Sequence, residues 1–129
     1  MRQSTRMLCS FSASLALMAS AGCRSGHPLT PEEQHAQQLH VVVENHNFAD
    51  MAVWAVGDGV PARIGTVNGN STGRFRLNPS LFSANTFRVD ATPIGGSGRA
   101  SSGTMVVLRG QLVVFTIESE LGLSHGIIR

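Results

Sequence analysis

The 129-residue chain has only two cysteines, Cys9 and Cys23, and contains no lysine at all. Past Cys23 there is no thiol. That excludes a disulfide, a thiolate zinc centre, a blue-copper centre and a cysteine nucleophile from everything that follows. An excess of charge is missing as well. The formal net charge is +2, but Arg2 and Arg6 precede an apolar leader. Without those two, eight of the ten basic residues remain against eight acids. A balanced chain gives no reason to expect a nucleic-acid partner. Catalytic signatures are missing too. The sequence contains neither Gly-x-Ser-x-Gly nor Ser-x-x-Lys. The stretch Gly95-Gly-Ser-Gly98 is followed by neither a lysine nor a helical pattern, so it is no phosphate loop. These absences point away from an enzyme and from any cofactor.

What is present begins with the leader. Arg2 and Arg6 give it a positive start, and an apolar run over about residues 7–19 is relieved only by small Ser and Cys. Ala19, Ser20, Ala21 and Gly22 then lead into Cys23. This is the order of a secretory signal, and the run is short of the ~20 apolar residues that a spanning helix needs. The end of the leader resembles the bacterial lipobox, with Ser20 where that pattern prefers leucine. The resemblance implies cleavage between Gly22 and Cys23 and a diacylglyceryl group on the Cys23 thiol; the alternative is an ordinary signal peptide cut near Ala21, with Cys23 incidental. On the lipidated reading the membrane is the first partner expected, through the lipid anchor. Acyl chains contribute ~0.8 kcal/mol per buried CH2, and two of them hold stably. Arg24 stands where an aspartate would mark retention at the inner membrane. By the same resemblance, the location implied is the outer membrane of a bacterial cell envelope.

Residues 23–38 read as the lipidated N-terminus and a flexible tether, rich in Ser, Gly, Pro, Glu and Gln and too poor in apolar residues to offset the entropy of ordering. Thr30-Pro31-Glu32-Glu33 carries an N-cap, a proline at the first helical position and acids in the first turn, so one short helical turn is expected there.

From residue 39 to 129 the composition turns to β-branched residues punctuated by turn signals, and no apolar period of 3.6 persists over three turns. Residues 39–44, 51–56, 62–67, 71–77, 86–92, 104–108, 111–118 and 123–128 read as strands. In the fifth, Phe87, Val89 and Ala91 alternate with Arg88, Asp90 and Thr92. The run Leu112-Val-Val-Phe-Thr-Ile117 is apolar on both faces and is the expected central strand. Gly57-Asp58-Gly59, Asn68-Gly69 and Arg109-Gly110 read as hairpin turns. The fold class expected is all-β: an immunoglobulin-like or transthyretin-like antiparallel β-sandwich of seven or eight strands. A barrel is the alternative, disfavoured because residues 78–85 and 94–103 read as crossovers.

Glu44-Asn-His-Asn-Phe-Ala-Asp-Met-Ala-Val-Trp54, Arg63-Ile-Gly-Thr-Val67 and Asn70-Ser-Thr-Gly-Arg-Phe75 together resemble small bacterial lipoproteins with one β-sandwich domain. That resemblance spans most of residues 39–129. It implies a fold and a location and carries no activity.

The candidate ligand contacts are Asn45, His46, Asn47 and Asp50, in the connection after the first strand, and Trp54, the one tryptophan. A tryptophan beside a polar loop can stack on a sugar or dock a peptide. The plainer expectation is an Asx-stabilised turn with Trp54 in the core. His27, His35, His40, His46 and His125 show no His-x-His, His-x3-His or His-Glu-x-x-His spacing, so no metal site is expected from sequence. First and last strands can be neighbours in a sandwich, which leaves a His40/His125 pair open. The reading that follows is a non-enzymatic, membrane-anchored β-sandwich with an envelope protein as partner. Its alternative is a ligand- or glycan-binding module built on Trp54 and the polar loop. Intact mass of the membrane-extracted protein checks the anchor. A chain starting at Cys23 with a diacylglyceryl-sized increment is expected, together with loss of both features and of membrane fractionation in Cys23→Ala.

Overall fold

The structure, a computed structural model, describes residue 28 and residues 30–57, 60–78 and 86–129. The leader, the Gly22–Cys23 cleavage site, Asp58, Gly59 and residues 79–85 lie outside the described residues.

The short helix α1, Pro31–Ala36, forms where the cap signals place it. Thr30 and Glu33 make a reciprocal capping box. The Glu33 N–H donates to Thr30 Oγ1 (3.3 Å), and the Thr30 N–H and hydroxyl donate to Glu33 Oε2 (2.8 and 3.0 Å). Those two donors hold the Glu33 carboxyl below its ordinary range.

Among the described residues nine strands follow: β1 Leu39–Asn45, β2 Met51–Gly57, β3 Val60–Val67, β4 Ser71–Leu77, β5 Thr86–Pro93, β6 Ala100–Ser101, β7 Met105–Val106, β8 Leu112–Ile117 and β9 His125–Ile128. They form two sheets, one in the order β4-β1-β8-β9 and the other β3-β2-β5-β6, with β7 also on β5. The expected all-β sandwich is the fold. Its core lies between the inner faces. Leu39, Val41, Val43, Val113, Phe115 and Ile117 come from the first sheet, and Met51, Val53, Ala55, Phe87, Val89 and Ala91 from the second, all buried. Period-2 alternation writes those faces into the sequence.

The partners of the strands depart from expectation in four places. Asn68-Gly69 does not close a hairpin: β3 and β4 lie in different sheets, and the turn carries the chain between them. Gly69 is required there because a Cβ would collide with the Phe48 carbonyl, and Asn70 takes a left-handed φ of 50°. Arg109-Gly110 is likewise a passage between sheets, since β7 pairs with β5 while β8 pairs with β1 and β9. Residues 94–103, expected to cross over, return along the same sheet, where β6 pairs antiparallel with β5. Finally, β1 and β8 run parallel, so the sandwich is not wholly antiparallel. The expectation of β8 as a central strand holds, because it sits between β1 and β9.

One flank of the sandwich is stitched shut. Ser102 extends the β5–β6 pairing through its N–H to Val89 O (2.8 Å) and its Oγ, which accepts from Val89 N–H (2.9 Å). Its carbonyl accepts from the Gly126 N–H of β9 (3.1 Å), in the other sheet. A Cβ on Gly126 would lie 2.6 Å from Ser102 Cβ, so this approach needs glycine.

Because no cross-link supports the domain, single core side chains carry a large share of its stability. Phe115→Ala is expected to cost about 3–5 kcal/mol in a urea titration. Phe48→Ala, at a side chain 85% exposed, is expected to stay within about 0.5 kcal/mol of the parent.

Candidate functional site

The polar connection after β1 is occupied by its own structure. Asn45 is buried. Its amide nitrogen donates to the carbonyls of Ala49 (2.9 Å), Val67 (3.4 Å) and Asn68 (2.9 Å), and its Oδ1 accepts from Asn47 N–H (3.0 Å). Asn47 Oδ1 accepts from Ala49 N–H (2.9 Å), and its Nδ2 donates to Ser119 O (3.0 Å). Asp50 Oδ1 accepts from Gly69 N–H (2.9 Å). These three side chains fasten the β1–β2 connection to the β3–β4 turn and to the segment after β8. His46 and Asp50 are the exposed members of this group, and His46 stands 3.7 Å from Glu118. A groove beside Asn45 and His46 is completed by Asn70, Ser71 and Thr72.

Trp54 is not in the core. On β2, Met51, Val53 and Ala55 point inward, which puts Trp54 half-buried on the outer face of its sheet. The groove it lines includes none of residues 45–50, and the groove at Asn45 and His46 does not include it. Its cross-strand neighbour is Asp90 of β5. Trp54, Pro61, Asp90, Thr92 and Arg99 line a groove of about 300 Å3. Although Asp90 belongs to the outward set of β5, its side chain is only 2% exposed. Arg88 Nε donates to Asp90 Oδ2 (3.1 Å), and Arg99 Nη2 donates to the same oxygen. The second carboxylate oxygen, Oδ1, is buried and accepts no hydrogen bond.

This arrangement has defined capabilities. Burying a carboxylate is costly unless it is paired, and two guanidinium groups share that pairing here. Each arginine has five N–H donors and spends one on Asp90, so the side chains remain rich in donors around an indole. Thr92 adds a hydroxyl. An aromatic wall with fixed polar groups beside it suits a ligand with one apolar face and several hydroxyls.

His27 and the His35 side chain lie outside the described residues, and the pair left open by the sequence, His40 and His125, does not converge. His40 pairs with Leu112 at the start of β8, whereas His125 pairs with Thr116, itself opposite Glu44. β8 separates the two histidines laterally, and they sit at different heights on the sheet, so the His40/His125 pair does not form. Among the described residues no cluster of three metal-ligating side chains occurs, and no helix is long and apolar enough to cross a membrane. Arg88, Asp90 and Thr92 were legible as an outward face, but nothing local in the sequence marks Asp90 as lying beneath Trp54 and Arg99.

No family model matches the chain, and neither does any curated protein. An NMR structure of a protein from Eubacterium rectale is similar to it, with 14% identity, a TM-score of 0.46, and coverage of 71% of this chain and 88% of that one.

The structural role of Asn45 is open to direct measurement. Asn45→Ala removes the amide that bonds the Ala49, Val67 and Asn68 carbonyls and is expected to cost about 1–3 kcal/mol in denaturant unfolding. Ser71→Ala, at a residue whose hydroxyl makes one exposed bond to Asn68 O, is expected to cost under about 1 kcal/mol.

Proposed function

We propose that this chain is a lipid-anchored protein of a bacterial cell envelope whose β-sandwich is a non-enzymatic binding domain, and that the groove at Trp54 is where it binds. The signal-like leader ending at Cys23 supports the anchor. The observation that carries the binding role is the outward placement of the one tryptophan over a buried, doubly paired Asp90. The indole is not part of the core cluster between the sheets. Here it stands half-open beside unspent guanidinium donors and the Thr92 hydroxyl. The ligand class is a polyhydroxylated molecule such as a saccharide. Its C–H face stacks on the indole, and its hydroxyls accept from Arg99 and exchange hydrogen bonds with Thr92.

A second reading, an envelope protein as partner, is favoured by the apolar side chains exposed near the β7–β9 flank: Val106, Leu108 and Ile127. Such a partner would add to a sheet edge.

Trp54 is the only indole, so its emission reports on the groove directly. Titration with envelope-derived oligosaccharides is expected to shift and saturate that emission. Trp54→Ala removes the signal, so calorimetry follows binding in that variant, which is expected to lose roughly 5- to 150-fold in affinity through loss of about 1–3 kcal/mol of stacking. Saturable binding that Trp54→Ala leaves unchanged would remove the groove from the proposal. Cross-linking that captures one envelope protein through residues 105–108 or 125–128 would favour the second reading.

A further inference from the structure

The outer face of the β4-β1-β8-β9 sheet carries a graded pattern that neither the core nor the Trp54 groove uses. Leu39, Val41 and Val43 point inward, so the alternate residues of β1 and their register partners form rows across the outside. At the start of β1 the row is Arg76, His40 and Leu112, with Arg129 hydrogen-bonded to Leu112 at the edge. The next row is Arg74, Val42, Val114 and Ile127. The third is Thr72, Glu44, Thr116 and His125. The face therefore runs from arginine-rich, through apolar, to polar and acidic. His40, Val42, Arg74, Arg76 and Leu112 line a groove of about 680 Å3 at the basic end.

The gradient continues beyond the sheet. Arg109 stands in the turn that enters β8 at the basic end, whereas Glu118 and Glu120 follow the far end of β8. Among the described residues no salt bridge engages Arg74, Arg76 or Arg109. Glu32 and Glu33 lie upstream in α1, and Glu33 is held by Thr30. The unpaired arginines thus stand at the end of the domain where the chain arrives from residue 38.

We infer that this basic end of the sheet docks on the anionic headgroups of the membrane that holds the lipid anchor, an inference that rests on the anchored reading above. The chemistry is specific in two ways. Arg74 and Arg76 follow one another along the outer face of β4, separated by Phe75, and offer bidentate donors to phosphate oxygens. Val42 and Leu112 beside them give the glycerol and upper acyl region an apolar surface. On the sheet itself the acid, Glu44, is in the row farthest from the arginines, so its repulsion from an anionic surface orients the sheet with the same sign as the attraction.

The test uses the native processed chain in two vesicle preparations, pure phosphatidylcholine and a phosphatidylcholine–phosphatidylglycerol mixture, with modification of each arginine by phenylglyoxal read by mass spectrometry. In the anionic vesicles Arg74 and Arg76 are expected to react about fivefold more slowly than in the neutral ones, the factor for one arginine at a charged surface. Salt at about 0.5 M is expected to restore the rate by screening. Arg63, on the opposite sheet, is expected to react equally in both. Equal rates for Arg74 and Arg76 in the two preparations overturn the inference. So does protection that persists in detergent and rises with protein concentration, which would assign the face to a second copy. Failure of the anchor shows separately, as an intact mass without the diacylglyceryl increment and a chain released from membranes. That released chain, mixed with the same vesicles, then reads the face alone. Salt-sensitive partition onto the anionic vesicles, weakened about 30-fold when Arg74→Gln and Arg76→Gln are combined, supports the docking surface, and no partition overturns it.

Discussion

The whole domain depends on the dry contact between the inner faces of its two sheets. With no thiol beyond Cys23, nothing covalent holds the strands, and a domain of this size buries enough apolar surface to fold with little to spare. Phe87 and Phe115 lie in that layer among Val, Leu, Ile and Met side chains that are all but fully buried. The chain changes sheet after β1, β3, β4 and β7, so the layer is assembled from contacts far apart in sequence. Two polar devices hold the open sides of this apolar contact. Asn45 ties the connection after β1 to the turn before β4, and the Ser102 carbonyl receives the Gly126 N–H across one flank. Each places a buried polar group where its partners are fixed, so the apolar layer stays closed without stranding backbone donors.

Once the inner faces and the β1–β2 connection are committed to structure, what remains for interaction is the outside of each sheet. The two outsides differ in chemistry. On one, a carboxylate lies buried under its neighbours, with Arg88 and Arg99 spending one donor each on the same oxygen. Such a pair is weak support for stability, since the cost of desolvation rivals the attraction. Its clearer effect is to fix two guanidinium groups and the floor beside Trp54 in one geometry. On the other outside, Arg74 and Arg76 have no acid to pair with among the described residues and are free to meet charges outside the chain.

The faces of the strands were legible in the sequence, and the sheets were not. Alternation alone placed Arg88, Asp90 and Thr92 opposite Phe87, Val89 and Ala91, and it marked the apolar run from Leu112 as central. The same alternation, applied to Met51, Val53 and Ala55, puts Trp54 outside. Expecting Trp54 inside followed the general habit of large aromatics and overlooked the period of its own strand. The turn residues were correct as turns and misleading as hairpins, because Asn68-Gly69 and Arg109-Gly110 specify a reversal of direction but not which sheet receives the next strand. The placement of His40 and His125 at different heights is set by register with β8, a long-range property that no local spacing encodes. The burial of Asp90 has the same origin: Trp54 lies 36 positions earlier in the chain and Arg99 arrives from a loop.

The geometry of a sandwich links the two outer faces. They lie on opposite sides of a body whose sheets are packed about 10 Å apart, so fixing one fixes the direction of the other. If the arginine rows of the β4-β1-β8-β9 sheet rest on headgroups, the Trp54 groove on the opposite sheet is turned away from the membrane, toward whatever occupies the space beyond it. If Cys23 is anchored as proposed, the 15 residues between it and the start of β1 span at most about 50 Å, and the domain searches only a thin layer. Within such a layer the effective concentration of both the surface and an envelope ligand is high. Contacts individually as weak as one indole stack or two exposed arginines can then act together, because confinement supplies the entropy that free association would have to overcome.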